Sequence, residues 1–355
     1  MIRFRTRSTQ ASRAGLTVPT IKHSDLPLVV DFHVHMLNEE VFKASTNKTV
    51  FTGFGATPAT APRPGAEPLM HRMVDPKLEI EDMDARGIDM SVLTSNTVVQ
   101  GSSWADPRID LDLCRRCNDQ AADWVARHPT RFVGSAVLPL QDVRLALGEL
   151  ERAVKTLKLK VVNISSSYNG VYAGDPVYHP FWEAIADLGV TVWIHPEGVK
   201  DPWFQRYALW NSAGQSIEET KCMTSLVYEG VMTRFPGLKV VIAHGGGYFP
   251  HYLGRMDRNT ANRPDTVRNT GGRTPSAFLR SFYYDTCVYD PKVFKVLLER
   301  VGADRLVMGS DYPVGEQDPV QWIRDNGVAG ADLLNIVGGN AARILGLPAT
   351  AARTA

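Results

Sequence analysis

The chain has 355 residues, 44% hydrophobic and 22% charged, with a formal net charge of +1. That is the composition of a globular protein with a large core, and the charge balance gives no reason to expect a nucleic-acid or membrane-surface partner. No apolar run approaches the roughly 20 residues needed to span a bilayer, and four cysteines are too few for a disulfide framework and fit a reducing, cytoplasmic setting.

The chain opens with a basic stretch carrying Arg3, Arg5, Arg7 and Arg13 and no acid before Asp25. Residues 1–27 read as an N-terminal tail, because the apolar stripe a transit helix would need is weak. The first apolar run, "PLVVDFHVH" at 27–35, ends in two histidines flanking one valine. From Met36 to about Pro76 the chain is rich in Pro, Gly, Thr and Ala, and "GFGATPATAPRPGAEP" shows no period. A loop that long inside a compact domain is expected to act as a lid or substrate loop.

Seven further short apolar runs follow: 89–95, 131–140, 158–166, 189–196, 238–247, 281–287 and 304–313. Their continuous apolarity is what parallel strands buried on both faces require. Amphipathic segments separate them, at 110–129, 143–157, 177–189, 223–237 and 290–302, and those at 177–189 and 290–302 end at a Gly that serves as a helix stop. This order predicts an α/β fold, a (β/α)8 barrel of the triosephosphate-isomerase type over residues 28–347. The long loop follows strand 1, and residues 348–355 form a C-terminal tail. No internal repeat or domain boundary is evident within the barrel.

The chemistry-bearing residues collect at the ends of these runs. Alternate residues of a strand face one side, so His33 and His35 point together. His195 ends "TVWIHP", His244 ends "VVIAHGGG" and Asp311 ends "VMGSDYP". In a barrel the strand ends converge on one face. Five imidazole and carboxylate groups gathered there without cause would be costly to desolvate, and one divalent metal explains them together. His23, His71, His128, His179 and His251 read as surface or capping residues. Cys114 and Cys117 form a lone CxxC on a helix, without a second pair at zinc-site spacing. The glycines after His244 let backbone approach a ligand closely.

The pattern of HxH after strand 1, His after strands 5 and 6, and Asp after strand 8 resembles the amidohydrolase superfamily. The segments "RFVGSAVLPLQD", "AHGGGYFPHYLGRMDR", "SFYYDTCVYDP" and "MGSDYP" look like its branch of aminocarboxymuconate-semialdehyde decarboxylases. The likeness runs from about residue 28 to residue 347. It implies one divalent metal, zinc with manganese as the alternative, held by His33, His35, His195 and Asp311. It implies that His244 works on the substrate as acid and base, with Asp311 also orienting water. The branch lacks the carboxylated lysine of binuclear relatives. Asn163 and Ser165 stand near that position, and Lys160 enters its strand too early.

Arg255 matches an arginine that reaches the neighbouring subunit's site, which implies a homodimer or higher homo-oligomer. Arg63 and Arg72 lie near the branch's other substrate arginine, and neither aligns with it. Glu197 stands where the branch has tryptophan after "HP", and Trp210 is a candidate pocket wall. The implied activity is non-oxidative decarboxylation of a small aromatic or muconate-semialdehyde-type carboxylic acid. A hydrolase (lactonase or amidase) or hydratase of the same superfamily is the alternative, and an inert metal-binding assembly subunit is the reading from a different class.

Overall fold

A computed structural model describes residues 23–49 and 67–351. Eight parallel strands form one sheet in sequence order. They are β1 (Val30–Met36), β2 (Met90–Ser95), β3 (Phe132–Val137), β4 (Val161–Ile164), β5 (Thr191–Ile194), β6 (Lys239–Ile242), β7 (Tyr283–Asp285) and β8 (Leu306–Val307). The sheet closes where β1 meets the segment after β8. Val34 bridges Tyr312 in parallel, and Phe32 N–H donates to the Met308 carbonyl at 2.8 Å. The expected (β/α)8 barrel is the observed architecture.

Two apolar layers hold it. Inside the barrel, Val30, Phe32, Val92, Val133, Val161, Trp193, Val241 and Val307 pack together, all buried. Between sheet and helices lies a larger core that includes Leu93, Ala136, Ile164, Val192 and Ile242. A strand buried on both faces is apolar at most positions, which is why these runs do not alternate.

The outer helices are α1 (Pro76–Arg86), α2 (Pro107–Arg127), α3 (Val143–Glu151), α4 (His179–Leu188), α5 (Gly214–Tyr228), α6 (Leu253–Asn262), α7 (Pro291–Val301) and α8 (Pro319–Asp325). Four of them start at an Asp-Pro step. The carboxylates of Asp75, Asp106, Asp290 and Asp318 accept backbone N–H groups of the first turn, and proline occupies the position with no N–H to satisfy.

Three expectations need correction. The segment from Met36 to Pro76 is not featureless. It forms helices at Glu39–Ser45, capped by Asn38, and at Glu67–Val74, while residues 50–66, including Arg63, lie outside the described residues. The helix expected at 223–237 begins earlier, at Gly214, and ends at Tyr228, because Gly230 takes φ +84 before a short turn at Val231–Arg234. His23 is not a surface residue: it is buried, 3.2 Å from Asp318, and Leu26 enters the core. Residues 1–22 and 352–355 of the two expected tails, and the tail arginines, lie outside the described residues.

Candidate metal centre

The site begins with an irregularity in β1. Its pairing with β2 shifts register between Asp31 and Val34. Before the shift Val30 and Phe32 face the barrel interior. Strict alternation would then aim His33 and His35 outward. The bulge inserts one residue, so both imidazoles turn inward above Phe32, and His33 packs against the interior Trp193 at 5.0 Å between ring centroids.

His195 follows β5 and His244 follows β6. The centroid distances among the four rings are 5.0 Å for His33–His35, 5.1 Å for His33–His195, 5.1 Å for His35–His195, 5.2 Å for His33–His244 and 5.0 Å for His195–His244. Asp311, past β8, places Oδ1 3.3 Å from His33 Nε2 and 3.0 Å from His35 Nε2. All five strand-end groups named from the sequence therefore meet in one place. His244 and Asp311 sit at φ +48 and +60, left-handed conformations that non-glycine residues rarely hold and that cluster at functional sites.

Three of the four rings, His33, His195 and His244, are oriented from behind. His33 Nδ1 lies 2.6 Å from Asp285 Oδ2, which leaves Nε2 facing the cluster. His195 Nδ1 is 2.9 Å from the Pro196 carbonyl and 3.3 Å from Thr97 Oγ1. His244 Nδ1 is 2.5 Å from Glu219 Oε1 on α5. Tyr289 donates from its hydroxyl to Asp311 Oδ2 at 3.0 Å. Carboxylate or carbonyl behind imidazole is the arrangement that fixes tautomers around bound metals.

Asp285 is itself held by N–H groups of Gly245 at 2.9 Å and Cys287 at 3.1 Å, both onto Oδ1. The glycine run after His244 thus serves packing as well as approach. A Cβ on Gly245 would lie 2.4 Å from Val288 Cγ1, and one on Gly247 would lie 2.2 Å from the Ser216 carbonyl.

Charge follows burial and partners. Burial, with the neighbouring imidazoles, pushes His195 well below the usual histidine range, and burial also lowers His35. Both rings are therefore neutral and carry a free lone pair at neutral pH. Burial alone would raise Asp311 and Asp285, but the histidines around Asp311 and the His33 hydrogen bond to Asp285 outweigh it and keep both ionised. Burial raises Glu219 to about 7, and against its own burial His244 is raised to about 10 by the Glu219 carboxylate.

The donor set fits a divalent ion. His33 Nε2 and His35 Nδ1 are buried without a hydrogen-bond partner. The His33 Nε2 lone pair, 3.3 Å from the ionised Asp311 carboxylate, is repelled unless a cation or proton lies between them. His33, His35 and His195 offer ring nitrogens within 4.8 Å of one another, as do the ligand atoms of His33, His244 and Asp311.

The other residues named from the sequence lie in varied places. Glu197 is largely buried and accepts from Ser103 Oγ at 3.0 Å, with Lys200 3.5 Å away. Trp210 is half-buried against Leu37, Met73 and Val98, which makes it a wall of an apolar patch. Arg72 pairs with Asp82, whose Oδ2 also accepts from the Tyr312 hydroxyl at 2.7 Å. Arg255 is exposed on α6, near the exposed Tyr252. Lys160 donates to the carbonyls of Leu345 and Gly346, both at 3.2 Å, at the opposite end of its strand. Cys114 and Cys117 are buried free thiols, and burial raises both.

Sequence reasoning passed over Asp285, Glu219 and Tyr289. Asp285 was findable, since it too is a polar residue at the end of an apolar run, "SFYYDTC". Glu219 carries no such signal: it is one of two glutamates in a helix, and only the fold shows which one is fully buried.

The comparisons agree with this geometry. A family model described as amidohydrolase matches residues 30–347. The chain is 34% identical over 278 residues to 2-amino-3-carboxymuconate-6-semialdehyde decarboxylase of Dictyostelium discoideum, covering 77% of each chain. It is 30% identical over 294 residues to gamma-resorcylate decarboxylase of a Polaromonas species, covering 76% of this chain and 88% of that one. Among solved structures it is similar to 5-carboxyvanillate decarboxylase from Sphingomonas paucimobilis, with TM-score 0.77 and 29% identity over 91% of this chain and 100% of that one. It is also similar to a dihydroxybenzoic acid decarboxylase from Polaromonas, solved with manganese and 2-nitroresorcinol. There the TM-score is 0.79 and the identity 25%, over 90% of this chain and 97% of that one.

Proposed function

The chain belongs to the amidohydrolase family, and we propose that within it the protein is a metal-dependent, non-oxidative decarboxylase of a small aromatic or muconate-semialdehyde-type carboxylic acid. The observation that carries this reading is the cluster itself: the unpartnered His33 Nε2 lies 3.3 Å from Asp311 Oδ1 and His35 Nε2 lies 3.0 Å from the same oxygen, beside His244, whose Nδ1 meets Glu219 Oε1 at 2.5 Å. Relatives with 34% and 30% identity are decarboxylases of such acids.

His33, His35, His195 and Asp311 would hold one divalent ion. Three imidazoles with one carboxylate favour zinc on donor chemistry. Manganese, present in the Polaromonas structure, is the competing metal, and elemental analysis of the purified chain decides between them. Such an ion supplies Lewis acidity, fixing an oxygen of the acid and taking up charge as the carbon–carbon bond breaks.

The remaining steps belong to the chain's own groups. Glu219 occupies His244 Nδ1, so the second imidazolium proton sits on Nε2. His244 gives that proton to the carbon that loses the carboxylate. The electron pair of the broken bond remains on that carbon and CO2 leaves, after which neutral His244 regains a proton from water. Tyr289 keeps Asp311 in place by its hydrogen bond to Oδ2.

The catalytic domain spans residues 28–347. Arg255, exposed on α6, would reach the site of a neighbouring copy if the protein is a homodimer or higher homo-oligomer, as the family resemblance implies. Four buried free cysteines suit the reducing cytoplasm. Among the described residues no helix is long and apolar enough to cross a membrane.

The test is direct. The metal-replete chain is incubated with hydroxybenzoic acids and with aminocarboxymuconate semialdehyde, and CO2 is measured. Release of CO2 supports the proposal. A product that instead gains the mass of water replaces it with the hydratase or hydrolase reading, in line with a hydratase relative that is 25% identical over 234 residues.

A further inference from the structure

Beside the histidine cluster lies a polar pocket that neither the proposed ligands nor His244 uses. It is bounded by the ends of β2, β3 and β4, by α2, and by Glu197 just past β5. Thr97 joins the two sites: it lines the pocket, and its Oγ1 lies 3.3 Å from His195 Nδ1.

One atom of this pocket lacks a partner. Asn163, 1% exposed, donates from Nδ2 to the Ser95 carbonyl at 2.8 Å. That carbonyl can only accept, so the amide's orientation is determined and Oδ1 is the atom left over. Oδ1 is buried without a hydrogen bond. An acceptor in that position is satisfied by a donor and by nothing else.

The charges of the pocket point the same way. Its ionisable carboxylates are Asp110 and Glu197, and no Lys, Arg or His is among the described residues that line it. Asp110 accepts from Gln141 Nε2 at 2.7 Å and Glu197 from Ser103 Oγ at 3.0 Å. The cation nearest to Glu197, Lys200, does not line the pocket.

We infer that this pocket seats a hydroxyl or amino group borne by the substrate away from its scissile carboxylate, with Asn163 Oδ1 as acceptor, and that it admits no carboxylate, so that a dicarboxylate such as aminocarboxymuconate semialdehyde must place its second carboxylate outside the pocket. The inference rests on the decarboxylase reading for the other end of the substrate. A hydroxyl or amine brings the donor that Asn163 lacks. A carboxylate brings only acceptors, would be stripped of water, and meets no cation in return. Sites built to hydrogen-bond a substrate group discriminate strongly against analogues that cannot reciprocate.

The experiment uses the metal-replete enzyme and a series of salicylates bearing a hydroxyl, an amino group, hydrogen or a second carboxylate at ring positions away from the scissile carboxylate. kcat/KM is measured for each. Binding of the corresponding phenols, which carry no scissile carboxylate, is followed separately by calorimetry. Donor-bearing members should exceed the hydrogen-bearing one by about tenfold in both readouts. The second carboxylate should cost at least about a hundredfold.

In Asn163→Leu the advantage of the donor should vanish. In Glu197→Gln, a milder change that keeps a polar side chain for Ser103, the penalty on the second carboxylate should shrink. Should Asn163→Leu fail to fold, the phenol series and Glu197→Gln decide. Equal kcat/KM and equal binding across the series, or a donor preference intact in Asn163→Leu, overturns the inference. CO2 from none of the acids, with donor-bearing phenols still bound more tightly, would instead sink the decarboxylase reading and leave the pocket assignment standing.

Discussion

Replacing Asp285 by asparagine tests how the metal centre is built. In the wild type, Oδ1 accepts from Gly245 N–H at 2.9 Å and Cys287 N–H at 3.1 Å, while Oδ2 faces His33 Nδ1 at 2.6 Å. Asparagine is nearly isosteric, and its Oδ1 can keep both backbone bonds. Its amide nitrogen must then face His33 and can only donate. His33 would have to carry its proton on Nε2, the nitrogen that the cluster requires as a lone-pair donor. The variant thus keeps the fold and inverts one tautomer. Losing such a carboxylate behind a ligating histidine typically lowers metal affinity by about 10- to 100-fold, or roughly 1.4–2.8 kcal/mol. The assay is chelator competition for the bound ion, with thermal unfolding of the metal-free protein run in parallel. We expect weaker metal binding and a nearly unchanged metal-free unfolding temperature. Unchanged affinity in a fully folded Asp285→Asn protein would refute the tautomer argument, and with it the assignment of His33 Nε2 as a ligand.

Other perturbations separate the remaining roles. His244→Ala should retain the metal and lose turnover by roughly a hundred- to ten-thousandfold; normal rates in that variant would remove the acid–base assignment. Asp311→Ala should be isolated with little metal, which elemental analysis reads directly. Glu219→Gln removes the charge that keeps His244 protonated up to about 10. Activity that needs the imidazolium is lost as pH rises through its pKa, so the alkaline limb of kcat should move down by several units; an unmoved limb argues that Glu219 only packs. Gly247→Ala puts a methyl 2.2 Å from the Ser216 carbonyl at φ +59. It should destabilise the fold by at least about 3 kcal/mol from overpacking and left-handed strain together, as measured by urea denaturation.

The barrel and its five strand-end groups were legible in the chain itself, for one reason. A strand buried on both faces is largely apolar, so the histidines and carboxylates that close each run mark the mouth of the barrel. His33, His35, His195, His244 and Asp311 all carry that mark, and so does Asp285, which closes "SFYYD". The tertiary structure decided what depends on residues far apart in sequence. Period-two alternation cannot say that a bulge between Asp31 and Val34 turns both histidines inward, because the bulge is set by pairing with β2. Nothing local distinguishes Glu219 from Glu218; packing of α5 under the segment after β6 puts the first against His244 and leaves the second to Tyr172 and Lys221. The pairing of Arg72 with Asp82 and the unsatisfied oxygen of Asn163 are likewise facts of assembly. Hydrophobic pattern is a property of each segment, whereas hydrogen-bond partners and charge environments exist only once segments meet.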